Sequence, residues 1–403
     1  MVLIVDGMGD LPVPELQGKT PLEAALTPNL NRLASAGLYG LIDPIAPGVT
    51  PNTDSGTGML MGMQPQYASL LRRGPVEAAG ACWGLQRGDV AMRANFASVQ
   101  EVDGELLIFD RRAGRIEHDV PLLLEILAAI PQPGQVTIQL RATDQHRAVL
   151  VLSGEGLDAA ISDTDPGDEA LPAPLLRCLA RRPAAQKTAD ILNCFLEKTH
   201  LMLQSHELNQ RRIQQGKLPA NALITRGAGE SLAIGNVITE AGLTAAVASG
   251  CNTVRGLGSM FGFDIIRDAR FTAKRDTDID AKISSAIAAL PDHDLVFVHL
   301  KAPDLCAHDH QPVAKMEVLQ RFDAALAPLL EQNIIIACAA DHSTDSNSGK
   351  HTADPVPALL YAPGQRWGSQ DIKFGETACR TGNMPRQSSS EFLQQVLALM
   401  HPR

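Results

Sequence analysis

The chain has no run of roughly 18 consecutive apolar residues, so it offers no membrane-spanning helix. It has no basic stretch ahead of its first apolar residues. MVLIVDGMGD runs directly into a strand pattern, and no signal peptide is expected. It has no CxxC pair. Its seven cysteines, at 82, 178, 194, 251, 306, 338 and 379, are scattered and odd in number. That usage points to free thiols in a reducing cytoplasm. Cys306 reads as a small filler residue. Positive charge is not in excess. The formal net charge is −10, which argues against nucleic acid or an anionic membrane as a general partner. The glycine-rich stretch 250–262 lacks both the strand–GxGxxG–helix pattern and the P-loop pattern. It is expected to be a tight helix–strand packing region and not a nucleotide site.

What is present is an ordinary globular composition with one dense concentration of chemistry. The 403 residues are 45% hydrophobic and 20% charged, enough for two domains or one large domain with an insertion. Two short apolar runs, 295–300 and 334–340, each break off at their C-terminal end into Asp and His. A third, VLIV at residues 2–5, runs into Asp6. Short, bounded, partly β-branched runs read as buried strands. In open α/β sheets ligands gather beyond the carboxyl ends of such strands. Asp6, Asp304, His308, Asp341, His342 and His351 are therefore expected together at one sheet edge. Asp304 and His308 are four apart and share a face if their segment is helical. Carboxylate and imidazole in this number suit Zn, Mn, Co or Mg. Six protein ligands fit two divalent ions roughly 4 Å apart better than one, an arrangement used for phosphoryl transfer.

Other segments supply the surroundings. The loop 48–58 carries four hydroxyl residues and leads into a helix-like stretch, where a hydroxyl gains from the helix N-terminus. The metal-type cluster downstream makes a nucleophile among these hydroxyls plausible, since a metal can activate a hydroxyl by lowering its pKa. From about residue 72 to 183 the texture changes to several short strands and a helix at 121–129, which reads as an inserted α+β module. The stretch 188–203 reads as an amphipathic helix leading back to the parent domain. The fold expected is an α/β sheet with helices on both faces. Residues 1–66 and 186–403 form the catalytic domain, and 67–185 a smaller inserted domain.

The segments DGMGD, GKTPLEAALTPNLNRLASAG, RRGPVEAAG, SDTDP, PANALITRGAG, FVHLKAPD…AHD, ADHST and HTADPVPALL occur in that order over nearly the whole chain. Together they resemble the archaeal-type cofactor-independent phosphoglycerate mutases of the alkaline phosphatase superfamily. The resemblance implies an alkaline-phosphatase-like α/β domain carrying an inserted α+β domain. It implies interconversion of 3-phosphoglycerate and 2-phosphoglycerate through a phosphoenzyme, with no bisphosphoglycerate cofactor.

The same resemblance implies Asp304, His308 and His351 as ligands of one metal, and Asp6, Asp341 and His342 with the nucleophile as ligands of the other. Thr53 falls at the nucleophile position, where the family usually has Ser. Ser55 becomes the rival only after a two-residue shift of the loop, and Thr57 stands where the family has His. On the inserted domain, expected to act as a lid, Arg73, His146, Arg147, Asp163 and Asp165 are candidates for gripping a small phosphorylated substrate, with Arg226 and Lys301 on the catalytic domain. The alternative reading is a metal-dependent phosphatase or phosphotransferase acting on another small phosphomonoester. A third is a non-catalytic binding protein on the same fold. The sequence leaves a homo-oligomer open.

Overall fold

The computed structural model describes residues 1–167, 170–365, 367 and 371–400. The chain divides into two compact units, residues 1–71 with 234–403, and residues 72–233.

The first unit is built on an eight-stranded sheet. Its strand order is Asp264–Ile266, Ala245–Ala248, Leu295–Leu300, Val2–Val5, Ile336–Ala339, Val356–Tyr361, Leu38–Asp43 and Gln387–Ser388. The first five run parallel, and Val356–Tyr361 is antiparallel to both its neighbours. The three central strands Leu295–Leu300, Val2–Val5 and Ile336–Ala339 are buried at every position. Continuous burial means that both faces of the sheet are covered, as parallel strands require. In register, Val5 faces Leu300 and Ile4 faces Ala339. Asp6, Lys301 and Asp341 therefore leave the sheet within about one residue of the same level. This is the sheet edge that the three apolar runs predict.

Beyond that edge the chain is pinned by a buried lysine. Lys315, on the helix Pro312–Ala325, is fully buried. Its Nζ donates to Asp10 Oδ2 at 2.7 Å, Gly9 O at 3.1 Å and Thr344 O at 3.0 Å. Asp10 also accepts from Ser346 N at 2.9 Å and Ser346 Oγ at 2.6 Å. Every donor of the ammonium has an acceptor, the condition under which a buried ion pair is tolerated. The pair joins the loop after Val2–Val5 to the small hairpin of Ser343–Asp345 and Lys350–Thr352. Behind it sits Glu376, whose Oε1 accepts from Asp10 N at 3.2 Å and whose Oε2 accepts from Thr20 Oγ1 at 2.6 Å.

The second unit is antiparallel. Its organising strand is Val90–Val102, which pairs with Arg147–Ser153, Ala222–Gly229 and Glu105–Asp110. The strand period of two divides this strand between two layers. Val90, Met92, Ala94 and Phe96 enter a core with Leu123 and Leu127 of helix Val120–Ala128 and Leu192 and Phe195 of helix Gln186–Gln204. On the other face, Ala91 packs with Ala78 of helix Arg73–Gly80 and with Val149 and Val151.

The inserted unit thus runs past residue 185. Helix Gln186–Gln204 belongs to its core, and Ala222–Gly229 completes its sheet by pairing with Val90–Val102, Phe96 opposite Leu223. The amphipathic pattern of 188–203 says which face of the helix is buried and not against what, so the sequence boundary falls short by about fifty residues.

Burial pushes the Glu376 carboxyl up from 4.5 to about 7. Its folded pKa lies above the unfolded one, so its stabilising contribution is full below about 4.5 and is lost as pH rises through about 7. Wild-type thermal stability is expected to fall across this window relative to Glu376→Gln, by an amount of order 3 kcal/mol. Parallel melting curves of the two proteins as a function of pH check this.

Candidate active site

Two groups of ligand atoms form beyond the three central strands. Asp304, His308 and His351 make one, and Asp6, Asp341 and His342 the other; each could hold a metal ion. The segment after Leu295–Leu300 turns into the helix Ala302–His308, which puts Asp304 and His308 on one face. His351 arrives on the strand Lys350–Thr352.

The proton positions in the first group follow from its acceptors. His308 Nδ1 lies 2.7 Å from Gly349 O, and His351 Nδ1 lies 3.0 Å from Pro51 O. A carbonyl only accepts, so both rings carry their proton on Nδ1 when neutral. Their bare Nε2 atoms then face each other at 3.2 Å, and each lies 3.4 Å from Asp304 Oδ1. Three electron pairs converging in this way fit a cation.

The second group is fully buried. His342 Nε2 lies 3.2 Å from Asp6 Oδ1 and 3.5 Å from Asp341 Oδ2. Asp341 is held from two sides, by Gly7 N donating to Oδ1 at 3.1 Å and Thr57 Oγ1 donating to Oδ2 at 2.9 Å. Gly7 has φ +63°, and a Cβ there would meet Thr344 Oγ1 at 2.7 Å and Asp304 Cβ at 2.8 Å. A Cβ at Gly56 would sit 2.0 Å from Asp341 O. Both glycines are required by close approach.

Lys301 sits between the two groups. Its Nζ donates to Asp6 Oδ1 at 3.0 Å and to Thr53 Oγ1 at 3.0 Å, and lies 2.7 Å from Asp304 Oδ2. That last contact lacks hydrogen-bond alignment, which leaves Asp304 Oδ2 without a hydrogen-bond partner. Burial alone would raise the Asp6 and Asp304 carboxyls. The Lys301 ammonium, together with His299 and His342 at Asp6 and His308, His351 and His342 at Asp304, more than offsets this and holds both far below the usual range. Asp341 goes the other way: burial, and then the Asp6 carboxylate beside it, push its carboxyl up, as expected where three carboxyl groups gather around one ammonium.

Thr53 opens the helix Thr53–Leu60, and its Oγ1 lies 3.4 Å from His342 Nε2. Its hydroxyl is therefore within reach of Lys301 and of the second ligand group, at the end of the helix where an anion is favoured. Ser55 is turned elsewhere. Its Oγ accepts from Asn52 N at 3.1 Å and donates to Asn52 O at 3.1 Å, closing the helix start. Of the two sequence candidates the structure brings Thr53 to the cluster. Thr57 is committed to Asp341.

A sequence model described as 2,3-bisphosphoglycerate-independent phosphoglycerate mutase matches residues 34–209. The mutase of that name from Methanopyrus kandleri is 41% identical over 91% of this chain and 88% of its own length. One from Archaeoglobus fulgidus is 39% identical over 100% of this chain and 98% of its own. Among solved structures, the PH0037 protein from Pyrococcus horikoshii superposes with a TM-score of 0.80 at 30% identity, covering 99% of this chain and 96% of that one. The cofactor-independent phosphoglycerate mutase from Thermoplasma acidophilum gives a TM-score of 0.65 at 30% identity, covering 99% of each chain. The chain belongs to the 2,3-bisphosphoglycerate-independent phosphoglycerate mutase family.

In this family member the second unit carries its own concentration of charge. Arg93 stands opposite Arg226 across two strands, and Arg147 opposite Asn95. Arg93 is 5% exposed, and Glu77 is 3.7 Å from its guanidinium. The Nε atoms of Arg93, Arg147 and Arg226, with His146 Nδ1, are buried without a hydrogen-bond partner. Burial, and then the neighbouring arginines, hold His146 neutral by pushing its pKa far down. Burial likewise lowers Arg226 to about 10, with Arg73 adding to the effect. Arginines facing each other across a ladder repel, and the orphaned N–H groups fit an anion. Asp165 is taken up by Arg111 Nε at 2.6 Å, and Asp163 by Gly227 N at 2.8 Å. These two carboxylates secure the loop between them.

The sequence reading passed over Arg93 and His299. His299 lies inside the run LVFVHL and is fully buried. Ser249 Oγ accepts from Cys251 N at 3.0 Å and gives its proton to His299 Nδ1 at 3.1 Å. The ring therefore donates from Nε2 to Asp6 Oδ2 at 2.9 Å, fixing which oxygen of Asp6 faces His342. A histidine as the one polar residue of a buried strand was the available signal. His299→Leu is expected to lower unfolding free energy by about 1–3 kcal/mol, the cost of leaving Asp6 Oδ2 without its donor. Chemical denaturation measures this, and an unchanged midpoint with unchanged slope would mean that the bond contributes nothing.

Proposed function

We propose that this protein is a metal-dependent phosphoglycerate mutase. It interconverts 3-phosphoglycerate and 2-phosphoglycerate through a phosphoenzyme on Thr53, in the cytoplasm. One observation carries the reading: in a chain so similar to named mutases along its whole length, a hydroxyl at a helix start lies beside a buried ammonium and two converging Asp/His groups. Among the described residues no helix is long and apolar enough to cross a membrane, and all seven cysteines are free thiols, which supports the compartment.

Asp304, His308 and His351 would hold one divalent ion, and Asp6, Asp341, His342 and Thr53 the other. Mn, Zn, Co or Mg suits such a set. When bound, the ions supply charge to the attacking hydroxyl and to the phosphoryl oxygens. Thr53 Oγ1 loses its proton and attacks phosphorus, and the glycerate hydroxyl leaves with a proton. Lys301, 3.0 Å from Thr53 Oγ1, offsets negative charge on the attacking oxygen and on the transferring group. The glycerate is retained, its other hydroxyl attacks the phosphothreonine, and Thr53 is regenerated. Retention requires a grip on the carboxylate, and water must be kept from the phosphothreonine. Arg73, Arg93, Arg147 and Arg226, with neutral His146, are suited to that grip, because a guanidinium fork matches a carboxylate. Of these, Arg93 has the strongest support, from its burial and its orphaned Nε.

With Mn²⁺ and 3-phosphoglycerate, purified protein is expected to form 2-phosphoglycerate without releasing phosphate. Thr53→Ala should lower kcat by roughly 10³ or more. Ser55→Ala should keep kcat and lose about 1 kcal/mol of stability through its helix start. Phosphate release without isomerisation would replace the mutase with a phosphatase. Arg93→Met removes a guanidinium that faces other arginines but also pairs with buried Glu77, and KM for 3-phosphoglycerate should rise about tenfold. An unchanged KM would take Arg93 out of substrate binding.

A further inference from the structure

One hydroxyl touches ligands of both groups. Thr344 is fully buried, and its Oγ1 lies 2.8 Å from Asp304 Oδ1 and 3.0 Å from His342 Nδ1. Asp304 is a ligand of the first group and His342 of the second. An ionised carboxylate can only accept, so the single Thr344 proton points to Asp304. The His342 ring must then donate from Nδ1 to Thr344 Oγ1. That leaves the lone pair of Nε2 facing Asp6 and Asp341, the tautomer that can bind an ion there.

Thr344 has little freedom to do anything else. Its N–H donates to Gly9 O at 3.0 Å, and its carbonyl accepts from the buried Lys315 at 3.0 Å. It pairs with His351 across the hairpin, so its backbone also sets the third ligand of the first group. On the remaining side Gly7 approaches so closely that a Cβ there would lie 2.7 Å from Thr344 Oγ1.

We propose that Thr344 is a positioning residue that couples the two ion sites. An ion held by Asp304, His308 and His351 fixes the place of Asp304 Oδ1, and with it the Thr344 hydroxyl bonded to it. The hydroxyl in turn holds the His342 ring in the orientation that the second ion requires. Filling the first site therefore tightens the second, a coupling that must be reciprocal. This rests on the reading of the two groups as ion sites.

The test is calorimetric titration of the metal-stripped, full-length protein with Mn²⁺ alone, without substrate or turnover. Wild type is expected to bind two ions with positive cooperativity. Thr344→Val keeps the shape and removes the hydroxyl. It should still take two ions but bind the second at least about tenfold more weakly, without cooperativity, the scale on which residues behind metal ligands act. Thr344→Ser keeps the hydroxyl and should restore the wild-type isotherm, which a purely structural loss of the threonine methyl would not allow. If the valine protein binds both ions as wild type does, the coupling is overturned while the ion sites stand. If wild type binds fewer than two ions, the site reading falls and the coupling with it. Should the valine protein not fold, Asp304→Asn serves instead. It disables the first site, and an undiminished affinity for the ion at the second site would overturn the proposal.

Discussion

Three carboxylates that cannot escape water-poor surroundings dominate the first unit. Asp6 and Asp341 leave neighbouring parallel strands at nearly the same level, Asp304 follows the adjacent strand on the helix Ala302–His308, and all three are almost wholly buried. Isolated buried charge of this kind is prohibitively costly, so everything nearby is arranged as donors. Lys301 is the one ammonium among them. His299, Gly7 N, Thr57 and Thr344 each give a hydrogen to one carboxylate oxygen. Those bonds use the outward oxygens or fix their directions, and the remaining electron pairs converge. The sheet is rigid and its strands are aliphatic, so the charges cannot be relieved by local movement. Burial raises the Asp341 carboxyl, and cations would relieve the groups that stay ionised.

This arrangement explains why the site was largely legible from the chain. A short apolar run ending in Asp or in Asp-His is a local signal, and three such runs in a parallel sheet must place their ends together. The four-residue spacing of Asp304 and His308 needed only the helix Ala302–His308 to become a shared face. Thr53 over Ser55 was legible only through resemblance. Physically it is decided by a single turn of helix, in which Ser55 closes the helix start and Thr53 is left beside Lys301.

Other parts were not legible, for a common reason. The long strand Val90–Val102 alternates two environments, and the helix Gln186–Gln204 and strand Ala222–Gly229 find their partners on it more than ninety residues earlier. Periodicity along a segment reports how it is buried and carries no information on which segment buries it. Arg93 fell in the same gap. Within VAMRANFASV it reads as one outward residue of a strand, whereas helix Arg73–Gly80 covers that face and buries it. His299 was hidden differently, since a polar residue in a core strand is a weak signal until its partners are known.

The two units hold complementary deficits. In the first, buried carboxylates and bare imidazole nitrogens exceed the available positive charge, a deficit that metal cations would meet. In the second, guanidinium groups face one another with orphaned N–H donors, with Glu77 3.7 Å from Arg93, an arrangement that fits an anion. In the proposed reaction the phosphoryl group needs cations around it to be transferred, and the glycerate carboxylate needs a fork of donors to be kept. A simple phosphatase needs only the first of these. A mutase must also hold the dephosphorylated acid until its second hydroxyl attacks, so the buried arginines are the part of this chain that a hydrolytic enzyme would have least reason to keep.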